Sequence, residues 1–117
     1  MIKGIGVDIV DTERFKKVKN KKKFLKQFLT DKEISDAENK TRENHHWATL
    51  FTIKEAIFKA FKIGLNLGSY WHNININKDF NVILSGYIRE FFKADTKVYI
   101  SQSCSKRYAL SFVLVQE

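Results

Sequence analysis

Glu55 and Lys59 lie four residues apart in the run Trp47-Ala-Thr-Leu-Phe-Thr-Ile-Lys-Glu-Ala-Ile-Phe-Lys-Ala-Phe61. On a helix that spacing puts an acid and a base on one face. Ala48 and Thr52 continue the same narrow stripe. Small residues let another backbone or a ligand approach, and the charged pair sits where it would arrive. A merely solvated Glu–Lys pair contributes only about 0.2–0.5 kcal/mol. Lys54 falls within the apolar stripe of the same run, so its ammonium either snorkels to the edge or points into a site. Asp8 ends a second run of interest, Gly4-Ile-Gly-Val-Asp8. Alternation places Gly4, Gly6, Asp8 and Val10 on one strand face, and Ile5, Val7 and Ile9 on the other. A face bare of side chains marks close approach by a backbone or a ligand. The acid that closes it is a candidate metal ligand, or an edge aspartate that starts the next helix.

The elements that must position these groups follow from periodicity. Met1 to Val10 reads as a strand. Asp11 or Thr12 caps a short helix from Glu13 to Val18. Phe24, Leu25, Phe28 and Leu29 give an apolar helical face within residues 19–29, ringed by lysines. Thr30 and Glu33 have the form of a capping box that starts a helix running to about Lys40. Trp47, Leu50, Phe51, Ile57, Phe58 and Phe61 recur at helical spacing, and Gly64 is the expected stop. His45 and His46 open this long helix. Adjacent histidines point in different directions, so they read as helix-start or surface residues ahead of metal ligands. Residues 70–77 alternate as a half-buried strand, residues 78–81 turn, and Val82–Leu84 return. Ser85 caps a further helix with Tyr87, Ile88, Phe91 and Phe92. Residues 97–103 and 108–115 read as a hairpin about a turn at 104–107. Strand, helices, then mostly antiparallel strands make an α+β domain spanning 1–117.

Composition narrows the partners. A chain of 117 residues with 44% hydrophobic and 14% aromatic residues is globular. Its formal net charge of +8 implies an acidic partner: nucleic acid, an anionic membrane surface, an acidic protein or a polyphosphate. Eight basic residues and no acidic one lie between Arg14 and Lys26. Cys104 stands alone, which excludes an internal disulfide and a cysteine-rich metal site. Lys3 and Asp8 interrupt any apolar leader, and no apolar run is long enough to span a bilayer. The expected setting is cytoplasmic.

Several of these stretches together resemble one family. Gly4-Ile-Gly-Val-Asp-Ile-Val-Asp-Thr-Glu-Arg14-Phe15 is similar to the opening of the holo-[acyl-carrier-protein] synthases, the small phosphopantetheinyl transferases. Phe28-Leu-Thr-Asp-Lys-Glu33 resembles their next segment. Phe51-Thr-Ile-Lys-Glu-Ala-Ile-Phe-Lys-Ala60 matches their Lys-Glu-Ala…Lys-Ala signature, and Ser69–Ile76 and Tyr99–Ser103 resemble their later strands. The resemblance implies transfer of 4′-phosphopantetheine from coenzyme A to a serine of apo acyl carrier protein. The product left behind is adenosine 3′,5′-bisphosphate.

It further implies Mg²⁺ held by Asp8 and Glu55, and Lys59 beside the pyrophosphate as cation or acid, with Glu55 and Lys59 catalytic. Lys54, Lys59, Ser103 and Lys106 are the implied coenzyme A contacts. Arg14 matches the arginine that meets the carrier, and Lys17, Lys21, Lys22, Lys23 and Lys26 extend that positive surface toward an acidic partner. Glu55, a metal-bound water or another group takes the serine proton. The implied fold is an antiparallel sheet packed on a long helix, and the implied assembly is a homotrimer with coenzyme A between subunits. Trimer contacts would account for the aromatic richness, and the bare glycine face would admit ligand or neighbour.

The chain departs from the family pattern at four places. Cys104 replaces a histidine, Lys62 a glycine, and Asn73 an aspartate, and Lys78-Asp-Phe-Asn81 replaces an Asn-Gly-Lys-Pro turn. A weakened relative, a small nucleic-acid-binding module and a purely structural trimer subunit are the competing readings. The module leaves Asp8 and Glu55 without a reason.

Overall fold

The computed structural model describes residues 1–62 and 71–117. The elements run β1 (Ile2–Asp11), α1 (Glu13–Lys17), α2 (Lys21–Lys26), α3 (Asp31–Ala37), α4 (Glu43–Ala60), β2 (Ile74–Ile76), β3 (Val82–Leu84), a 3₁₀ segment (Gly86–Phe91), β4 (Lys97–Cys104) and β5 (Tyr108–Gln116). The expected α+β order is observed. β1, β5 and β4 form an antiparallel three-stranded sheet in that order, and β2 and β3 form a separate hairpin. Asp8 lies opposite Ser111 on β5, and Ser111 lies opposite Gln102 on β4.

α4 lies across the sheet, and the glycines of β1 permit its approach. A Cβ on Gly4 would overlap the carbonyl oxygen of Ala60, and one on Gly6 that of Ala56. The bare face therefore admits the chain's own helix, not a ligand or a neighbouring subunit. Ala48, Thr52 and Ala56 are buried on the helix side of this contact. Thr52 Oγ1 meets Ser111 Oγ at 2.7 Å, which fixes α4 against the middle strand.

The short helices pack on the other side of α4. Phe15 meets Phe24, Phe28 and Phe51 edge-on at 5.5–6.0 Å, and Trp71 stacks on Phe51 at 5.6 Å. Such pairs are worth about 0.5–1.5 kcal/mol beyond the area they bury. Much of the aromatic richness thus serves an internal cluster, while Tyr87, Tyr99, Tyr108 and Phe112 remain exposed. The capping box at Thr30 forms as expected, with Glu33 N donating to Thr30 Oγ1 and Thr30 N to Glu33 Oε1.

Several boundaries shift, and α4 opens at Glu43, two residues ahead of the His45–His46 start expected from sequence. α3 stops at Ala37, short of Lys40. The strand expected over 70–77 is ordered as β only from Ile74, and the segment after Ser85 is 3₁₀ with no side-chain cap. α4 ends at Ala60, and Lys62 takes the left-handed conformation (φ 58°) that terminates helices. A lysine therefore occupies the backbone position where the family's glycine was expected. Gly64, Ser69 and Tyr70 lie outside the described residues.

Candidate active site

The long helix carries two lysine–carboxylate pairs, and the fold treats them differently. Lys54 is fully buried, its side chain 0% exposed, against Glu33 at 2%. Its ammonium donates to Glu33 Oε1 at 2.7 Å and to the carbonyls of Phe28 at 2.9 Å and Trp71 at 3.2 Å. Glu33 Oε2 accepts from the Ile76 amide. Every donor of the ammonium is used, so the expected contact between Lys54 and coenzyme A is corrected to a structural role. Burial pulls the Lys54 pKa down and Glu33 opposes that pull.

The second pair is open. Lys59 Nζ reaches Asp8 Oδ1 at 3.1 Å and the Val7 carbonyl at 3.0 Å, with its side chain 49% exposed and that of Asp8 16%. The other carboxylate oxygen, Asp8 Oδ2, is buried and has no hydrogen-bond partner among the described residues. Glu55 sits half-buried beside it on α4. Burial raises the Glu55 pKa, repulsion from Asp8 raises it further, and Lys59 opposes both. Asp8, Glu55 and Lys59, dispersed over 52 positions, thus share one electrostatic neighbourhood. A buried orphan oxygen beside a second carboxylate fits a hard divalent cation, which accepts one or two carboxylates and completes its shell from ligand and water. Among the described residues no group of three or more His, Cys, Asp or Glu side chains is placed to hold a metal ion.

Ser103 lies elsewhere, on β4 at the opposite edge of the sheet from β1. It lines a pocket of about 340 Å³ with Arg42, His45, His46, Thr49, Phe80, Gln102 and Cys104. His45 Nε2 donates to the Lys106 carbonyl at 2.9 Å, and Arg42 Nη2 to the Ser105 carbonyl at 3.4 Å. Lys106 stands exposed at the β4–β5 turn, outside that lining. Arg107 is drawn away to Asp11 at 2.9 Å. Sequence reasoning missed Arg42 and Phe80. His45 was legible only as a helix-start residue, since the Lys106 carbonyl that meets it arrives 61 residues later.

Arg14, Lys17, Lys22, Lys23 and Lys26 are exposed on α1 and α2. Lys21 is partly withdrawn, donating to Asn44 Oδ1 at 2.8 Å.

The sequence profile of the 4′-phosphopantetheinyl transferase superfamily matches residues 4–113. The chain belongs to that superfamily. It is 37% identical to the holo-[acyl-carrier-protein] synthase of Thermodesulfovibrio yellowstonii, over 98% of this chain and 99% of that one. Among solved transferases it resembles the Helicobacter pylori holo-[acyl-carrier-protein] synthase in complex with coenzyme A, at 30% identity and a TM-score of 0.76, covering 96% and 99% of the two chains. The Neisseria meningitidis holo-[acyl-carrier-protein] synthase superposes with a TM-score of 0.83 at 26% identity, each chain fully covered. The transferase fold thus extends over the whole chain.

Proposed function

We propose that this chain is a holo-[acyl-carrier-protein] synthase that transfers 4′-phosphopantetheine from coenzyme A to a serine of apo acyl carrier protein. The observation that carries the mechanism is the open pair: Lys59 on Asp8, with Asp8 Oδ2 left over and Glu55 alongside. In the reaction the serine oxygen bonds to the phosphorus that bears pantetheine. The bridging P–O bond breaks, and adenosine 3′,5′-bisphosphate leaves with the electron pair. Such transfer depends on alignment and charge neutralisation more than on covalent help.

Asp8 and Glu55 are the residues that would hold Mg²⁺. When bound there the ion supplies positive charge for the pyrophosphate of coenzyme A. Lys59, half-exposed on the same face, offers its ammonium to the leaving phosphate. Glu55, whose carboxylate burial makes more basic, is within the same neighbourhood to receive the serine proton.

The Ser103 pocket, with Arg42 and His45 on its rim, takes the nucleotide end of coenzyme A, and Lys106 flanks it. With the metal site on one edge of the sheet and this pocket on the other, we place coenzyme A between adjacent subunits. A homotrimer provides that junction. Its support is the outer sheet face, where Ile5, Val7 and Ile9 are 51–60% exposed beside Tyr99, Tyr108, Leu110 and Phe112. A contiguous apolar face of this kind marks a protein contact. Arg14 and the exposed lysines of α1 and α2 dock the acidic carrier. No described helix is long and apolar enough to cross a membrane, and we place the single 1–117 domain in the cytoplasm.

The test is to incubate the protein with apo carrier, coenzyme A and Mg²⁺ and to weigh the carrier. A phosphopantetheine increment that EDTA abolishes is expected. An unmodified carrier under saturating Mg²⁺ rejects the activity, and an increment that survives exhaustive chelation rejects the metal.

A further inference from the structure

The turn between β2 and β3 holds an aromatic residue in a conformation that aromatics avoid. Phe80 has φ 61°. Left-handed backbone costs a bulky residue about 1–2 kcal/mol and persists only where its surroundings impose it. Here they do. Asn77 Oδ1 accepts from the amides of both Asp79 and Asn81, and Phe80 N donates to the Asn77 carbonyl. The strain fixes where the ring goes. It forms part of the wall of the Ser103 pocket, and its ring centroid lies 5.6 Å from that of His46, tilted by 43°. The ring is only partly buried, so one side remains available. The same pocket carries cationic or polar groups from Arg42, His45 and Ser103. Its volume of about 340 Å³ suits a nucleotide-sized ligand.

We infer that Phe80, backed by His46, is the base-stacking platform of the pocket and sets its preference for a purine-bearing donor over the bare phosphates. Every base presents a π-face, and one base–aromatic stack is a large part of a nucleotide's affinity. The inference rests on the assignment of this pocket to coenzyme A, and it adds the residue that reads the base. Glycine would satisfy the backbone at Phe80 without strain, so the ring is what the strained turn gains.

The experiment measures calorimetric binding of adenosine 3′,5′-bisphosphate and of 1-deoxyribose 3,5-bisphosphate, which lacks the base, to the whole protein. Wild type should prefer the base-bearing ligand by about tenfold or more, the worth of one stack. Phe80→Leu should erase that preference and leave the base-free ligand unchanged, and Phe80→Trp should keep it. Phe80→Gly should lose the preference while still unfolding in one cooperative transition, which separates recognition from folding. In the transfer assay Phe80→Gly should raise KM for coenzyme A with kcat little altered. Equal weakening of both ligands, or no change in either, overturns the platform while leaving the coenzyme A assignment intact. Failure of wild type to bind either ligand overturns that assignment and the platform with it.

Discussion

Lys54 and Lys59 sit one turn and a half apart on one helix, each against a carboxylate from a distant segment, yet one pair is closed and the other open. Lys54 meets Glu33 in a site without water access, where both carboxylate oxygens and all three ammonium donors are engaged. Lys59 meets Asp8 at the surface, with a buried carboxylate oxygen unused. The contrast teaches that a complete set of hydrogen bonds marks structure, whereas a surplus acceptor held in place marks chemistry. A polar atom left unpaired in a buried position costs about 1–3 kcal/mol. At Asp8 that cost is offset in part by the ion pair that Oδ1 makes with Lys59.

Breaking the closed pair should have the largest effect. Glu33→Gln or Lys54→Ala leaves an uncompensated buried charge, which costs about 3–5 kcal/mol. Chemical denaturation should show the loss, and activity should fall only as far as the folded fraction falls. Breaking the open pair should do the reverse. Asp8→Ala should lower kcat by about a hundredfold or more, as removal of a preorganised electrostatic group does. Its melting temperature without Mg²⁺ should stay near that of wild type, and added Mg²⁺ should raise the melting point of wild type alone. Full turnover by Asp8→Ala would remove this residue from the metal site.

Charge reversal sharpens the comparison away from the helix. Arg14→Glu should raise KM for the carrier several-fold, leave KM for coenzyme A unchanged, and flatten the salt dependence of the on-rate. An unaltered carrier KM rejects the docking surface. The smallest expected effect concerns Glu55. Its pKa is raised in the folded state, so the protonated form is favoured there, and its ionisation weakens the fold as pH rises through that raised value. Metal-free Glu55→Gln should therefore melt slightly above metal-free wild type at neutral pH, and the difference should vanish at acid pH. A neutral-pH melting point below wild type would show that Glu55 is not strained by its neighbours.

Much of this was readable before folding. The Thr30–Glu33 capping box, the apolar stripe of α4 and the final hairpin each depend on residues close in sequence, so local spacing suffices to expose them. An acid on a bare strand face and an acid–base pair on a small-residue stripe are local patterns too, but their spacing alone left Asp8 open to a helix-start role and Glu55–Lys59 to a solvated pair; the structure shows that the three lie together. Distant packing reassigned what those patterns left open. Lys54 had a place on the apolar stripe either way, and only the arrival of Glu33 and the Phe28 carbonyl made it structural. The glycines of β1 announced a close approach without naming the visitor, which proved to be the carbonyls of Ala56 and Ala60.

The sequence by itself determined most of the elements, the candidate side chains and the chain's own positive charge, since periodicity, residue type and net charge are properties of the chain. The tertiary structure alone decided which lysine is buried, which carboxylate oxygen is left without a donor, and which wall Phe80 faces. Each of those depends on atoms brought together from positions far apart in the chain, where spacing along it carries no information about distance.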